Sequence, residues 1–430
     1  LKRLCIAGLR GRSSQAFFAV ILGVVILSAC STPTTSTPAT TLLSDKVSGS
    51  CQAAHRVGYL TAFHSELVDS VGCVVHLSGV NWFGFETSTF APHGLWARNW
   101  KDMLNQIAQT GFNTIRLPFT DQLFDPGIKT NGINYQLNPD LKGLSGLALM
   151  DRIIKGAGQI GLKVILDRHD PTADLRPPMW YTNQMSQTNW INDWTMLAQH
   201  YRGNDTIIGA DLANEPHGPV TWGDGNPNTD WRMAAEQAGN AILAVNPDWL
   251  IIVEGIEQFH NDFYWWGGNL EGAAQYPVVL SEPNKLVYSA HDYGPEVSWQ
   301  SWFQTKNPSD LARTLPAVWE KHWAYLQTSG TAPVLMGEFG GSSMGGDAEG
   351  VWQRTLVNFL KTNNISYTYW SWNPDSGDTG GILEYDWKTV NQSKMGVLSA
   401  YQWPMLGQPA SGTNNHAGAI PKAYQWPPSK

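Results

Sequence analysis

Cysteine is scarce in this chain of 430 residues: there are four, and none after Cys73. A scaffold stapled throughout by disulfides is therefore excluded, and loops must be held by packing and hydrogen bonds. Charge is thin as well. Asp, Glu, Lys and Arg make up 15% of residues against 42% hydrophobic, which leaves no room for long disorder. No Lys/Arg cluster occurs beyond the first dozen residues and the net charge is −8, so nucleic acid is not an expected partner. H-E-x-x-H, EF-hand and paired-Cys motifs are missing, so neither a metal nor another cofactor is implied. What is abundant is tryptophan, 21 against 14 Tyr and 14 Phe, together with 42 Gly. Two readings are open: packing of a large core, or rigid indole faces on which flat amphipathic ligands such as sugars stack.

The first segment reads as an address rather than as fold. Lys2, Arg3, Arg10 and Arg12 precede an apolar run over 16–27 that is short for a span of about 20 residues. It closes on Leu27, Ser28, Ala29 and Cys30, which resembles the lipobox of bacterial lipoproteins, where the Cys becomes the acylated first residue. A plain secretory peptide and an uncleaved anchor are the alternatives. The expected organisation is a signal peptide over 1–29, a Pro/Thr/Ser-rich tether over 30–50, one catalytic domain over 51–406 and a tail over 407–430. The expected location is outside the cytoplasm, as an envelope lipoprotein of the outer membrane or as a secreted protein, with a lipid as the only membrane contact. In an oxidising compartment the remaining cysteines, Cys51 and Cys73, are expected to pair.

From about Val74 onward short β-branched runs alternate with helical patterns, eight times over. Candidate strands are 75–80, 114–117, 163–167, 208–212, 250–254, 286–290, 334–336 and 367–372. Trp100, Met103, Leu104, Ile107 and Ala108 form one helical stripe, and Trp231, Ala234, Ala235, Ala238, Ile242 and Val245 another. Eight β/α units predict a (β/α)8 TIM barrel, with a doubly wound sheet as the alternative. Each strand ends in a polar or aromatic group: Asn81, Arg116, His169, Asn214 with Glu215, Glu254, His291, Glu338 and Trp370. Those ends are where barrel enzymes keep their chemistry.

Two motifs mislead. Gly156, Gly158 and Gly161 spell a dinucleotide fingerprint, but between a helix and a strand, the reverse of the order that aims a helix N-terminus at phosphate. Gly341, Ser343 and Gly345 match a nucleophile elbow, but past the strand in a loose Gly/Ser stretch. The informative pair is Glu215 in ADLANEPHG and Glu338 in VLMGEFGG, at the ends of the fourth and seventh strands. In a barrel these ends face each other across the mouth, and two Glu about 5 to 5.5 Å apart suit retaining glycoside hydrolysis.

LANEP, LMGEFG, YSAHDYG, NTIRLP, ILDRH and YWSWNPDSGDTGG, in order from about Ser78 to Val390, together resemble glycoside hydrolase family 5, and most its bacterial endo-β-1,4-glucanases. The resemblance implies a β-glucan substrate, Glu215 as acid/base and Glu338 as nucleophile. It implies further that Arg116 and Tyr293 hold the nucleophile, that Asn214 reaches the sugar 2-hydroxyl, and that His169 and His291 orient substrate and acid. Trp370, with Trp372 as a second choice, would lie under the reacting sugar. Trp265 and Trp266 are candidates for a further subsite, and Trp82 and Trp180 weaker ones. Another β-glycanase of this barrel, a mannanase or xyloglucanase, stays open, as does a non-catalytic glycan-binding lipoprotein. No appended cellulose-binding module is visible, so soluble or amorphous glucan is the expected substrate.

Overall fold

The computed structural model describes residues 58–406 and 423–426. Eight parallel strands, β1 Ser78–Asn81, β2 Thr114–Thr120, β3 Lys163–Asp170, β4 Ile207–Asp211, β5 Leu250–Glu254, β6 Leu286–His291, β7 Val334–Glu338 and β8 Ser366–Tyr369, pair in chain order and close between β8 and β1. This is a TIM barrel. Five of its helices start where the sequence supplies a cap: Asn99, Ser145, Ser186, Asp230 and Asp347 each accept a backbone N–H of the first helical turn. The stripe over Trp100–Gln109 is buried as expected, and in Trp231–Val245 the last turn buries Ile242 together with Leu243, with Val245 packed against the core but only partly buried.

The first strand differs from its expected span of 75–80. Val74–Val75 leaves the barrel and joins Thr61–Phe63 and Glu66–Val68 in a small antiparallel sheet. Leu60, Leu67, Val75 and Leu77 then pack on Ile165, Ile208, Leu250, Ile252, Val287 and Leu335, the inward residues near the starts of the strands. The barrel is thus plugged at its N-terminal end. Lys163 and Lys285 bind this plug through the Gly58 and Leu60 carbonyls.

Most of the tryptophan serves packing. Trp82, Trp100, Trp180, Trp190, Trp194, Trp231, Trp249, Trp319, Trp323, Trp352 and Trp372 are fully buried, more than half of the 21. The glycines of the false fingerprint also serve packing, since a Cβ on Gly156 would stand 2.4 Å from Trp100 and one on Gly158 would stand 2.2 Å from Thr206.

Among the described residues no helix is long and apolar enough to cross a membrane. The signal segment, the tether with Cys30, and Cys51 lie outside the described residues. Cys73 is buried and disulfide-bonded. Of the tail, 423–426 rests on the first helix: Tyr424 exchanges backbone hydrogen bonds with the Asn105 side chain, and Trp426 lies edge-on to Trp100.

Candidate active site

The barrel centre above the plug is ionic rather than apolar. Arg116, on β2 and fully buried, is its hub. Its Nε donates to Asp211 at 2.9 Å, Nη1 to Glu338 at 2.5 Å and to Asn81 at 3.1 Å, and Nη2 to Glu254 and Asn214 at 3.0 Å each. Asp167 lies 3.1 Å from Nη2. A guanidinium fits this place because its planar fork serves several carboxylates at once.

Glu338 ends β7. Its other oxygen accepts the Tyr293 hydroxyl at 2.7 Å. Burial alone would raise its pKa, but the charges of His291, Arg116 and His169 and the Tyr293 hydroxyl outweigh burial and hold it at about 2. This carboxylate is therefore ionised at any working pH. A register shift between Ala290 and His291 turns β6 so that His291 lies opposite Glu338.

Glu215 sits past the end of β4 with φ of 50°, a left-handed conformation unfavourable for a side chain of its size. Its backbone N–H donates to Glu254 at 2.7 Å, which holds that turn. Gly267 leaves the room: a Cβ there would meet the Glu254 carboxylate at 2.3 Å and the Glu215 Cα at 3.2 Å. The Glu215 carboxylate lies 3.1 Å from His291 Nδ1, and one oxygen each of Glu215 and Glu338 stand, with His291, within 4.8 Å of one another. That separation fits a carboxylate pair attacking directly, and is too short for the 6.5–9.5 Å that an intervening water requires.

Burial pushes His169 down, but the Asp167 carboxylate, 2.7 Å from its Nδ1, overrides this and raises it to about 9. Burial likewise opposes the charge of His291, and Glu254 and Glu338 raise it well above the usual range. Asp211 is driven the other way: burial raises its carboxyl well above the ordinary value despite Arg116. Arg116, His169 and His291 thus supply the positive charge that faces the acid-rich mouth.

Trp370 is brought to the mouth. One face of its indole lies against Phe83, with ring centroids at 5.3 Å, the His169 ring stands at 5.5 Å, and Ser376 accepts its Nε1–H at 3.0 Å. Trp372 is not brought there: it is wholly buried, edge-on to Phe112 in the core, and has no face to offer a ligand. Trp82 and Trp180 are core residues for the same reason. Trp265 is buried behind Tyr293, edge-on at 6.0 Å, so it supports that ring. Trp266 is 42% exposed and stacked on His217 at 3.7 Å, which leaves one face open.

Residues 68–376 match the family model described as cellulase (glycosyl hydrolase family 5). The chain belongs to this family. It is similar to an endoglucanase of Paenibacillus polymyxa, 50% identical over 83% of this chain and 90% of that one. It is also similar to the major extracellular endoglucanase of Xanthomonas campestris pv. campestris, 44% identical over 77% of this chain and 69% of that one. An endocellulase from Pyrococcus horikoshii, solved with cellotetraose in a glutamate-to-alanine variant, matches with a TM-score of 0.75 at 43% identity, over 80% of this chain and 98% of that one.

In this cellulase-family site, sequence reasoning gave no role to Asp167, Asp211 and Glu254. Glu254 was visible only as a polar strand end, and nothing in its flanking residues says that it braces the Glu215 turn. Phe83, His93 and Trp96 were also missed. They continue the aromatic surface from Trp370 outward, with ring centroids 5.1 Å apart at each of the last two steps, and end on a Trp96 that is 38% exposed. The signal was the Phe- and Trp-rich segment NWFGFETSTFAPHGLW following β1.

Proposed function

We propose that this endoglucanase cuts internal β-1,4-glucosidic bonds with retention, Glu338 as nucleophile and Glu215 as acid/base. The observation that carries the reading is the short separation of Glu215 from a Glu338 carboxylate kept ionised by Arg116, His291 and Tyr293. A Glu338 oxygen attacks the anomeric carbon, the bond to the glycosidic oxygen breaks, and Glu215 gives that oxygen its proton. The sugar is then an ester of Glu338. Glu215, now a carboxylate, takes a proton from water, whose oxygen displaces Glu338 and restores the starting configuration. Asn214, with its amide oxygen pinned by Arg116, turns its nitrogen to the 2-hydroxyl, and Trp370 lies under the ring.

Cellotetraose in the archaeal relative supports a cello-oligosaccharide substrate. An equatorial 2-hydroxyl in glucose and an axial one in mannose meet Asn214 differently, and a lost hydrogen bond of about 1 to 3 kcal/mol slows the step roughly 5- to 150-fold. Carboxymethylcellulose and mixed-linkage β-glucan are therefore expected to be cut at least about tenfold faster than mannan. Viscosity should drop ahead of reducing-end release. Faster cleavage of mannan or xyloglucan would replace the substrate while leaving the carboxylate mechanism, and no hydrolysis of any would leave a glycan binder.

The extracellular Xanthomonas relative supports export. Within that reading, acylation of Cys30 anchors the chain, and a Cys51–Cys73 disulfide closes the segment ahead of β1. Palmitate labelling that persists in Cys30→Ser would exclude this anchor.

A further inference from the structure

A second cluster of ligating groups stands apart from the catalytic pair. The loop after β5 carries a two-stranded hairpin, Gln258–Phe259 with Asp262–Phe263, and a short helix, Glu271–Gln275. Both abut a π-helical turn, Glu320–Ala324, inserted where the helix Leu311–Trp319 runs on beyond its Pro316. Such turns recur at functional positions because they push one side chain out of helical register. Here that turn contains His322.

His322 Nδ1 lies 2.7 Å from the Val318 carbonyl and must donate to it. The side chain is 5% exposed, and its Nε2 is buried without a hydrogen-bond partner. Tyr264 lies flat against the imidazole at 4.2 Å and fixes its plane. Nε2 points between two carboxylates, 3.4 Å from Glu271 Oε1 and 3.7 Å from Asp262 Oδ1, and the three atoms lie within 4.8 Å of one another. Glu271 Oε1 is likewise buried and without a hydrogen bond.

These contacts are too long for good N–H···O hydrogen bonds. They are close to the edges of a tetrahedron around Zn2+, which with bonds of about 2.0–2.2 Å run to roughly 3.3–3.6 Å. A backbone carbonyl on Nδ1 is also the usual arrangement that aims a histidine Nε2 at a metal. We infer that Asp262, Glu271 and His322 form a binding site for one Zn2+-class divalent cation, outside the catalytic centre. One imidazole with two carboxylates suits this class better than Ca2+ or Mg2+, which take oxygen ligands. The partly exposed side of the cluster leaves a fourth position for water.

Lys321 is the built-in competitor. Its Nζ contacts Asp262 and lies 3.6 Å from Glu271 Oε1, but its side chain is 54% exposed and has solvent to swing into. Metal and ammonium would exchange for the same two carboxylates. Asp262 and Glu271 flank the stretch that holds Tyr264, Trp265 and Trp266, and the Tyr264 hydroxyl donates to Asp292, next to His291. A bound cation would therefore fasten both ends of this wall of the mouth to the helix carrying His322.

The test is calorimetric titration of the chelator-stripped full chain with zinc chloride, read beside thermal unfolding, neither of which depends on the glucanase reading. One saturable site is expected, raising Tm by about 4 °C at a hundredfold excess over Kd. Glu271→Gln, nearly isosteric and partly exposed, should weaken binding at least tenfold, His322→Ala should abolish it, and Lys321→Met should tighten it by on the order of tenfold. Glu215→Gln should leave it unchanged. No saturable binding, or binding that Glu215→Gln abolishes while Glu271→Gln and Lys321→Met leave it alone, would overturn the assignment.

Discussion

Glu338→Ala is expected to fold and to lose turnover by on the order of 10^5-fold, because no glycosyl ester can form without the attacking carboxylate. Folding survives because Arg116 keeps Asp167, Asp211 and Glu254 as partners when Glu338 is gone. The informative readout is stereochemical. With an aryl β-cellobioside carrying a good leaving group, azide should enter the cavity left by Glu338 and give the α-glycosyl azide in one displacement. The corresponding Glu215→Ala variant should still form the ester on Glu338 and give the β-azide in two displacements. Turnover near the wild-type level in Glu338→Ala, or the same anomer from both variants, would reverse or remove the assigned roles.

Arg116→Met should be the most destabilising single change in the barrel centre. Removing one partner of a buried ion pair costs about 3–5 kcal/mol, and here one cation faces four carboxylates. A fall in Tm of roughly 5 °C or more is expected at pH 7, with activity lost as Glu338 and Asn214 lose their shared donor. The sign with pH follows from Glu338. Its folded-state value of about 2 lies below the ordinary 4.5, so its contribution is fully present above about pH 4.5 and is lost as pH falls towards 2. The stability gap between wild type and Arg116→Met should therefore narrow across that interval. Denaturant unfolding at pH 7 and pH 3 measures it, and a gap that is absent at pH 7 or widens in acid would show that Arg116 does not neutralise this cluster.

The barrel was legible because its strands are short apolar runs between strong helix caps, and each run ends in a polar residue whose position on the rim follows from the fold. Glu215 and Glu338 could be paired for the same reason. What stayed hidden depends on closure. Asp167, Asp211 and Glu254 read as ordinary acids along the chain and become a charge cluster only when β3, β4 and β5 curl around Arg116. Trp370 and Trp372 are two residues apart in an aromatic segment, yet one stands at the mouth and the other in the core. Val75 reads as the start of β1 but pairs with Leu67 instead, since Val75 and Leu77 are both drawn into the plug. The π-helical turn at His322 has no local signature beyond the Pro316 upstream.

The plug also decides which way the enzyme looks. The described chain begins at Gly58, bound to Lys163 at the start of β3, whereas Glu215 and Glu338 stand beyond the opposite ends of the strands. The two ends of one set of strands are thus divided between cohesion and chemistry: apolar side chains such as Leu67 and Leu77 close the barrel on one side, and the charged groups around Arg116 gather towards the other.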